Sequence, residues 1–239
     1  MNIIKTIFKK ELYDYFNSPI AYIYILIFLI VSHIYFFKNL FIYNQASMLS
    51  LFNFSPYFFF FLISAISMRV WSEEKKSGTL DFLFTFPLKD YQLVLGKFFA
   101  ALLFIAVILF STLPFVAVVM YLGNPDILPI ITGYFGLILL AAANLSLGFF
   151  LSSLTQNQII SFLLTALLSV FFFFINSPII LYTFPSFFTP ILNYFSFEFH
   201  FYYFANGIIS LQSTLFFISF IFFFLLLNIY KFNVRVFKK

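Results

Sequence analysis

Residues 98–121 read FFAALLFIAVILFSTLPFVAVVMY, 24 consecutive positions without an Asp, Glu, Lys or Arg. A helix needs about 20 mostly apolar residues to cross the hydrocarbon core of a bilayer, where each backbone polar group must be satisfied within the segment. Five more stretches share that character, at residues 19–37, 55–70, 131–150, 158–175 and 214–230. The one at 55–70 and the one at 214–230 are on the short side. Pro114 removes a backbone donor inside 98–121 and predicts a local bend there. The fold class read from these segments is all-α: a polytopic membrane protein with six transmembrane helices forming a single transmembrane domain over 1–239.

Composition agrees with that reading. The chain has 239 residues, of which 63% are hydrophobic and 9% charged, with a mean hydropathy of +1.05. A soluble domain carries about 25% charged residues to wet its surface. Soluble enzymes, disordered tails and nucleic-acid readers are excluded, so no nucleic-acid partner is expected. The absence of cysteine excludes disulfide frameworks, zinc clusters and thiol catalysis. The 44 phenylalanines read as membrane filling in the lipid-facing role that Leu usually has.

The N-terminal 18 residues are amphipathic. Ile4, Ile7, Phe8, Leu12 and Tyr15 recur at helical spacing, with Lys5, Lys9 and Asp14 on other faces. Such a helix lies in the interface plane, and Asn17-Ser18-Pro19 ends it before the first span. Lys and Arg set the orientation. Three lie at the N-terminus, five in the connection 71–97 with its flanking Arg69, four at the C-terminus, and Lys38 alone on the other side. Both termini are therefore expected in the cytoplasm.

Charged residues also limit the chemistry. The eight carboxylates all fall in connections or interfacial segments of the six-span map. Ion-coupled transport, which needs an ionisable group near the midplane, is disfavoured, and His33 lies near an outer helix end. No paired Asp or Ser-His set lies in the spans for intramembrane proteolysis. Glu198 and His200 are too few for a metal site and read as an amphipathic lip on the outer loop. Gly96-Lys97 is preceded five residues earlier by Tyr91 and followed by Phe98, so it is no P-loop. No cofactor is expected on this chain, and it is not expected to be an enzyme.

The most informative connection runs from Met68 to Leu88, MRVWSEEKKSGTLDFLFTFPL. It reads as a charged turn followed by a short amphipathic coupling helix, with Thr79 as N-cap and Pro87 as stop. Leu80, Leu83 and Phe84 form its apolar stripe. Glu73, Glu74, Asp81 and Asp90, four carboxylates in the longest cytoplasmic connection, suggest a docking surface for another protein.

That string, with Phe86-Pro87-Leu88 and Leu95-Gly96-Lys97, resembles the first cytoplasmic loop of type-2 ABC exporter permeases. Lys9-Lys10-Glu11-Leu12, Tyr15-Phe16 and Ser18-Pro19 are similar to the same family's opening helix. Gly133-Tyr134-Phe135-Gly136-Leu137 and Ser152-Ser153-Leu154-Thr155-Gln156-Asn157-Gln158 extend the likeness over nearly the whole chain. It is nearest the branch associated with bacterial gliding motility, close to permeases serving nitrous oxide reductase maturation. The resemblance implies ATP hydrolysis on a separate ABC ATPase subunit, a second permease copy or a related permease as partner, and contacts to the ATPase through Glu73, Glu74, Thr79, Leu80, Asp81 and Leu83. Two departures stand out: Asp81 where Glu is more frequent, and Asn206-Gly207 with Ser210-Leu211-Gln212 in the outer segment. The function implied is the membrane-spanning permease of an ATP-driven export complex. The alternative is a non-transporting anchor that recruits an ATPase to a motility or secretion machine.

Two readings concern packing. Ala142 with Ser146, and Asn144 with Gly148, are small or polar residues four apart, which share a helix face and allow close approach in lipid. The outer loop 176–213 holds Pro178, Pro185 and Pro190 but no Lys or Arg, and is expected to dip back to the interface.

Overall fold

The computed structural model describes residues 3–43, 45–80 and 89–236, and among them it contains helices and no strand. In chain order these are α1 (Ile3–Asn17), α2 (Pro19–Tyr43), α3 (Leu49–Ser77), α4 (Asp90–Phe110), α5 (Leu113–Leu122), α6 (Ile127–Leu154), α7 (Gln158–Phe174), α8 (Pro178–Thr183), a 3-10 turn (Ser186–Phe188), α9 (Thr189–Phe195), α10 (Phe197–Ala205) and α11 (Leu211–Val236). By length and composition, α2, α3, the α4–α5 pair, α6 and α11 can each cross a membrane, and α7 is an apolar helix of 17 residues.

α6 is the axis. It packs against α3, α4, α7, α10 and α11, and is buried over nearly its whole length. Its sequence explains this: a helix apolar all round but studded with small residues lets several neighbours approach at once. A Cβ at Gly133 would overlap the ring of Phe52, and one at Gly136 would overlap Phe204. At Gly148 it would stand 2.6 Å from the Cβ of Ser67 on α3 and 3.0 Å from Thr165 on α7. Ala142, Asn144 and Ser146 are likewise buried inside the chain.

Several boundaries differ from the sequence reading. α3 continues through Trp71–Ser77, so the expected charged turn is the last two turns of a helix. Glu73, Glu74, Lys75 and Lys76 are good helix formers, and the two lysines sit in the last turn, where they oppose the helix dipole. Gly78, at φ +74°, ends the helix with its N–H on the Lys75 carbonyl. The expected coupling helix falls largely on 81–88, outside the described residues. The third span breaks at Ser111–Thr112, so Pro114 opens a new helix. The Thr112 hydroxyl marks the break, 2.7 Å from the Leu109 carbonyl and 2.7 Å from the Tyr134 hydroxyl.

The segment 176–213 is largely helical, and part of it is core. α10 lies against α6, α7 and α11, burying Phe197, Phe201 and Phe204, and Thr132 Oγ1 donates to the Phe204 carbonyl at 2.7 Å. Prolines punctuate the segment into short helices that show no long hydrophobic period.

Gly148→Leu forces Ser67 and Thr165 apart and is expected to destabilise the chain by about 1–3 kcal/mol, the usual effect of overpacking. Thermal unfolding in detergent checks this, with exposed Leu167→Ala as a comparison that should unfold near the parent temperature.

Candidate functional site

Lys97 lies in the second turn of α4 and is only 4% exposed. Its Nζ stands 3.0 Å from Glu11 Oε1 on α1 and 2.6 Å from Glu74 Oε1 on α3, and 5.2 Å from the ring centre of the fully buried Trp71. One ammonium thus joins three helices, with an aromatic face adding a weaker attraction. Gly96 makes the geometry possible. A Cβ there would sit 2.8 Å from Ile7 Cγ2, so the glycine lets α1 lie directly on α4. Further along α1, Tyr15 stacks on Phe104 with centroids 5.2 Å apart and planes 6° from parallel, and Phe16 meets the same ring edge-on. Burial first, then the Glu11 and Glu74 carboxylates, hold the Tyr15 phenol above its ordinary value, so it stays protonated.

The end of α3 is also fixed to α6. The Ser152 hydroxyl donates to the Met68 carbonyl at 3.1 Å and accepts from the Trp71 and Ser72 N–H groups at 3.2 Å. One hydroxyl of α6 thus ties three backbone groups of a single turn of α3. Ser72 Oγ also bonds the Met68 carbonyl, and Lys75 Nζ bonds the Ser153 carbonyl. Trp71 packs between Phe149 of α6 and Phe232 of α11. The last turns of α3 are therefore held by α1, α4, α6 and α11 together.

The residues expected to meet an ATPase are divided by this arrangement. Glu73 is exposed, whereas Glu74 is half-buried and already engaged by Lys97. Thr79 is exposed, with its hydroxyl 2.8 Å from Ser77 Oγ, and Leu80 is buried. Asp81 and Leu83 lie outside the described residues. In the sequence Lys97 reads as one of the loop cations, and its role is not legible there. A lysine next to an apolar run normally marks a span end, and Glu11 and Glu74 are too distant in sequence to reveal the cluster.

A family model described as ABC-2 family transporter protein matches residues 5–233. The chain belongs to this family. It is a multi-pass membrane protein and a permease component of an ABC transport system, and membership implies association with an ABC ATPase and with lipid. No curated protein matches the chain. The match takes in α1 as well as the spans, so the Lys97 cluster lies wholly within the family region.

At the other end of this ABC-2 permease, His200 is fully buried and stacks on Phe216 at 4.1 Å. Its Nε2 is 2.9 Å from the Tyr194 carbonyl, which can only accept, so Nε2 carries the proton. Nδ1 then accepts from the Ser213 hydroxyl at 3.1 Å. Burial lowers the His200 pKa below its ordinary 6.5, an effect partly offset by the bond to Tyr194, while burial raises the carboxyl of half-buried Glu198. The expected lip is thus a histidine packed in the fold beside a partly covered acid.

Lys97→Met leaves two carboxylates without their shared counter-charge. Removing one partner of a buried pair costs about 3–5 kcal/mol. Because Glu11 and Glu74 keep 17% and 19% exposure, the loss should fall at the lower end. The triple variant Lys97→Met, Glu11→Gln, Glu74→Gln should recover most of it in thermal unfolding; a Lys97→Met protein as stable as the parent would contradict this. A second expectation follows from His200. The unfolded chain takes up a proton near pH 6.5 and the folded chain only at lower pH, so stability is full above 6.5 and falls as pH drops. Unfolding temperature should decline from pH 7.5 to 5.5, and His200→Gln, which keeps Glu198, should flatten that slope.

Proposed function

We propose that this ABC-2 permease has six spans with both termini in the cytoplasm of a bacterial inner membrane. It pairs with a second permease copy or a related permease, and is driven by a separate ATPase to export a substrate, in a gliding-motility system. The observation that carries the coupling part is the anchoring of α3. Its exposed Glu73 and Thr79 stand at the end of a helix tied by Lys97 to α1 and α4 and by Ser152 to α6. A push delivered to that end is then shared by the helices that hold it, and closure of the ATPase dimer can shift them as a unit. Family membership supports an ABC ATPase as the source of that push. The excess of Lys and Arg at this end of the bundle supports its cytoplasmic placement. The span count rests on α7, whose 17 residues are at the short end of what a bilayer accepts.

Glu73→Lys tests the coupling surface without disturbing the Lys97 cluster, because Glu73 is exposed and Glu74 makes the buried pair. If Glu73 contributes a desolvated charged contact, reversal costs about 2–5 kcal/mol of association, whereas a rim charge alters mainly association rate and salt dependence. Co-purification with the ATPase and permease-stimulated ATP hydrolysis should both drop in membranes where the variant inserts normally. Normal insertion with unchanged association and stimulation would remove Glu73 from the coupling surface.

A further inference from the structure

A cleft of about 390 Å³ opens between α1, α2, α3 and α4 at the Lys97 end of the bundle, within the size range of small-molecule sites. Its walls change character along their length. Ile20, Ala21 and Tyr24 of α2 face Ala65 and Ile66 of α3 at one end, and charged side chains of α1 and α3 surround the other. Arg69 lies one turn beyond Ala65 and Ile66, where the apolar wall gives way to the charged one. Elsewhere on α2, Tyr22, Ile23, Leu26 and Ile27 are exposed, so the apolar end of the cleft is continuous with a face suited to lipid.

Two polar atoms at this cleft are buried and have no hydrogen-bond partner: Nε of Arg69, a donor, and Oε2 of Glu74, an acceptor. Lys97 offsets one charge of the Glu11–Glu74 pair, and the remaining lining charges are Lys10, Asp14, Arg69 and Glu73. A purely anionic group would meet unbalanced carboxylates, and a purely cationic group would meet the guanidinium. A zwitterion satisfies both. Its anionic oxygens suit Arg69, with Lys10 close to the mouth, and a primary ammonium can donate to Glu74 Oε2 and to Asp14 or Glu73. A quaternary ammonium has no proton to donate and would leave Glu74 Oε2 unpaired.

We propose that this cleft binds the phosphoethanolamine headgroup of a phospholipid, phosphate at Arg69 and ammonium at the carboxylates, with the acyl chains leaving along Ile20, Tyr24 and Ile66. Basic side chains between membrane helices receive lipid phosphates, and here four carboxylates beside Lys10, Arg69 and Lys97 select a headgroup that also bears an amine. The site requires no ATPase; it shares Glu73 with the coupling reading, so lipid retention measured without the ATPase separates the two. It places a lipid against the same ion cluster that joins α1 to the bundle.

The test uses the full-length chain, delipidated and then offered phosphatidylethanolamine, phosphatidylcholine and phosphatidylglycerol with identical acyl chains. Retained lipid is read by native mass spectrometry. Phosphatidylethanolamine should be retained in preference to both others. Arg69→Gln should weaken retention about tenfold or more, as expected for loss of a hydrogen bond to a charged group. Glu73→Gln, at an exposed position, should weaken it in the same direction. Lys38→Gln, at the other end of α2, should retain lipid as the parent does. Soluble glycerophosphoethanolamine forms the second arm: weak competition supports a lipid ligand, and binding as tight as the lipid's would overturn it in favour of a soluble zwitterion. Retention that ignores the headgroup, or that survives both Arg69→Gln and Glu73→Gln, would overturn the site altogether.

Discussion

Taking an ammonium out of water costs several kcal/mol unless opposite charge and hydrogen bonds replace its hydration, and Lys97 is almost wholly out of water. Two carboxylates and an indole face supply the replacement, and they come from two other helices. α1 brings Glu11, the last turns of α3 bring Glu74 and Trp71, and Gly96 removes the side chain that would keep α1 away. The cluster therefore acts as a positional constraint. If α1 slides along α4, or α3 ends a turn earlier, the ammonium loses a partner.

Around this constraint the bundle is organised by size. α6 is a helix of small and hydroxylated residues, and its neighbours dock where a glycine or serine leaves room. Phe52 fits at Gly133, Phe204 at Gly136, and Ser67 with Thr165 at Gly148. In lipid, apolar side chains gain little by leaving their surroundings, so close approach and interhelical hydrogen bonds hold helices together. Ser152 provides one such bond where α3 and α6 meet, one helical turn from the Lys97 cluster. The two fixings explain how the end of α3 can be exposed at Glu73 and Thr79 yet firmly attached. That combination suits a permease that must receive a push from a partner at this end.

Much of the fold was legible because hydropathy has a direct physical cause. Stretches such as 98–121 and 131–150 have no alternative to membrane or deep core, and the structure has helices at all six expected positions. Helix ends were less legible. The Glu-Glu-Lys-Lys run looks like a loop by polarity, but its residues favour helix once α3 carries them past the apolar layer. The break in the third span fell at Ser111–Thr112, since Pro114 is accepted at the start of a new helix. α10 is not legible as a helix, because its nine aromatic-rich residues follow Pro178, Pro185 and Pro190 and show no long period. The small face of α6 could be read from spacing alone. The Lys97 cluster could not, because its members are brought together only by tertiary packing.

α1 is part of the bundle, seated on α4 and locked there by Lys97. The chain has no native cysteine, so Ile7→Cys creates a single reporter at the point where α1 touches Gly96 of α4, with the glycine left in place. The rate at which a thiol reagent labels that cysteine in native membranes measures how well the contact covers it. Slow labelling is expected with Lys97 present and clearly faster labelling when Lys97→Met is added. Labelling of the Ile7→Cys chain as fast as that of a cysteine at exposed Tyr13, with Lys97 present and insertion normal, would contradict the seating of α1 on α4.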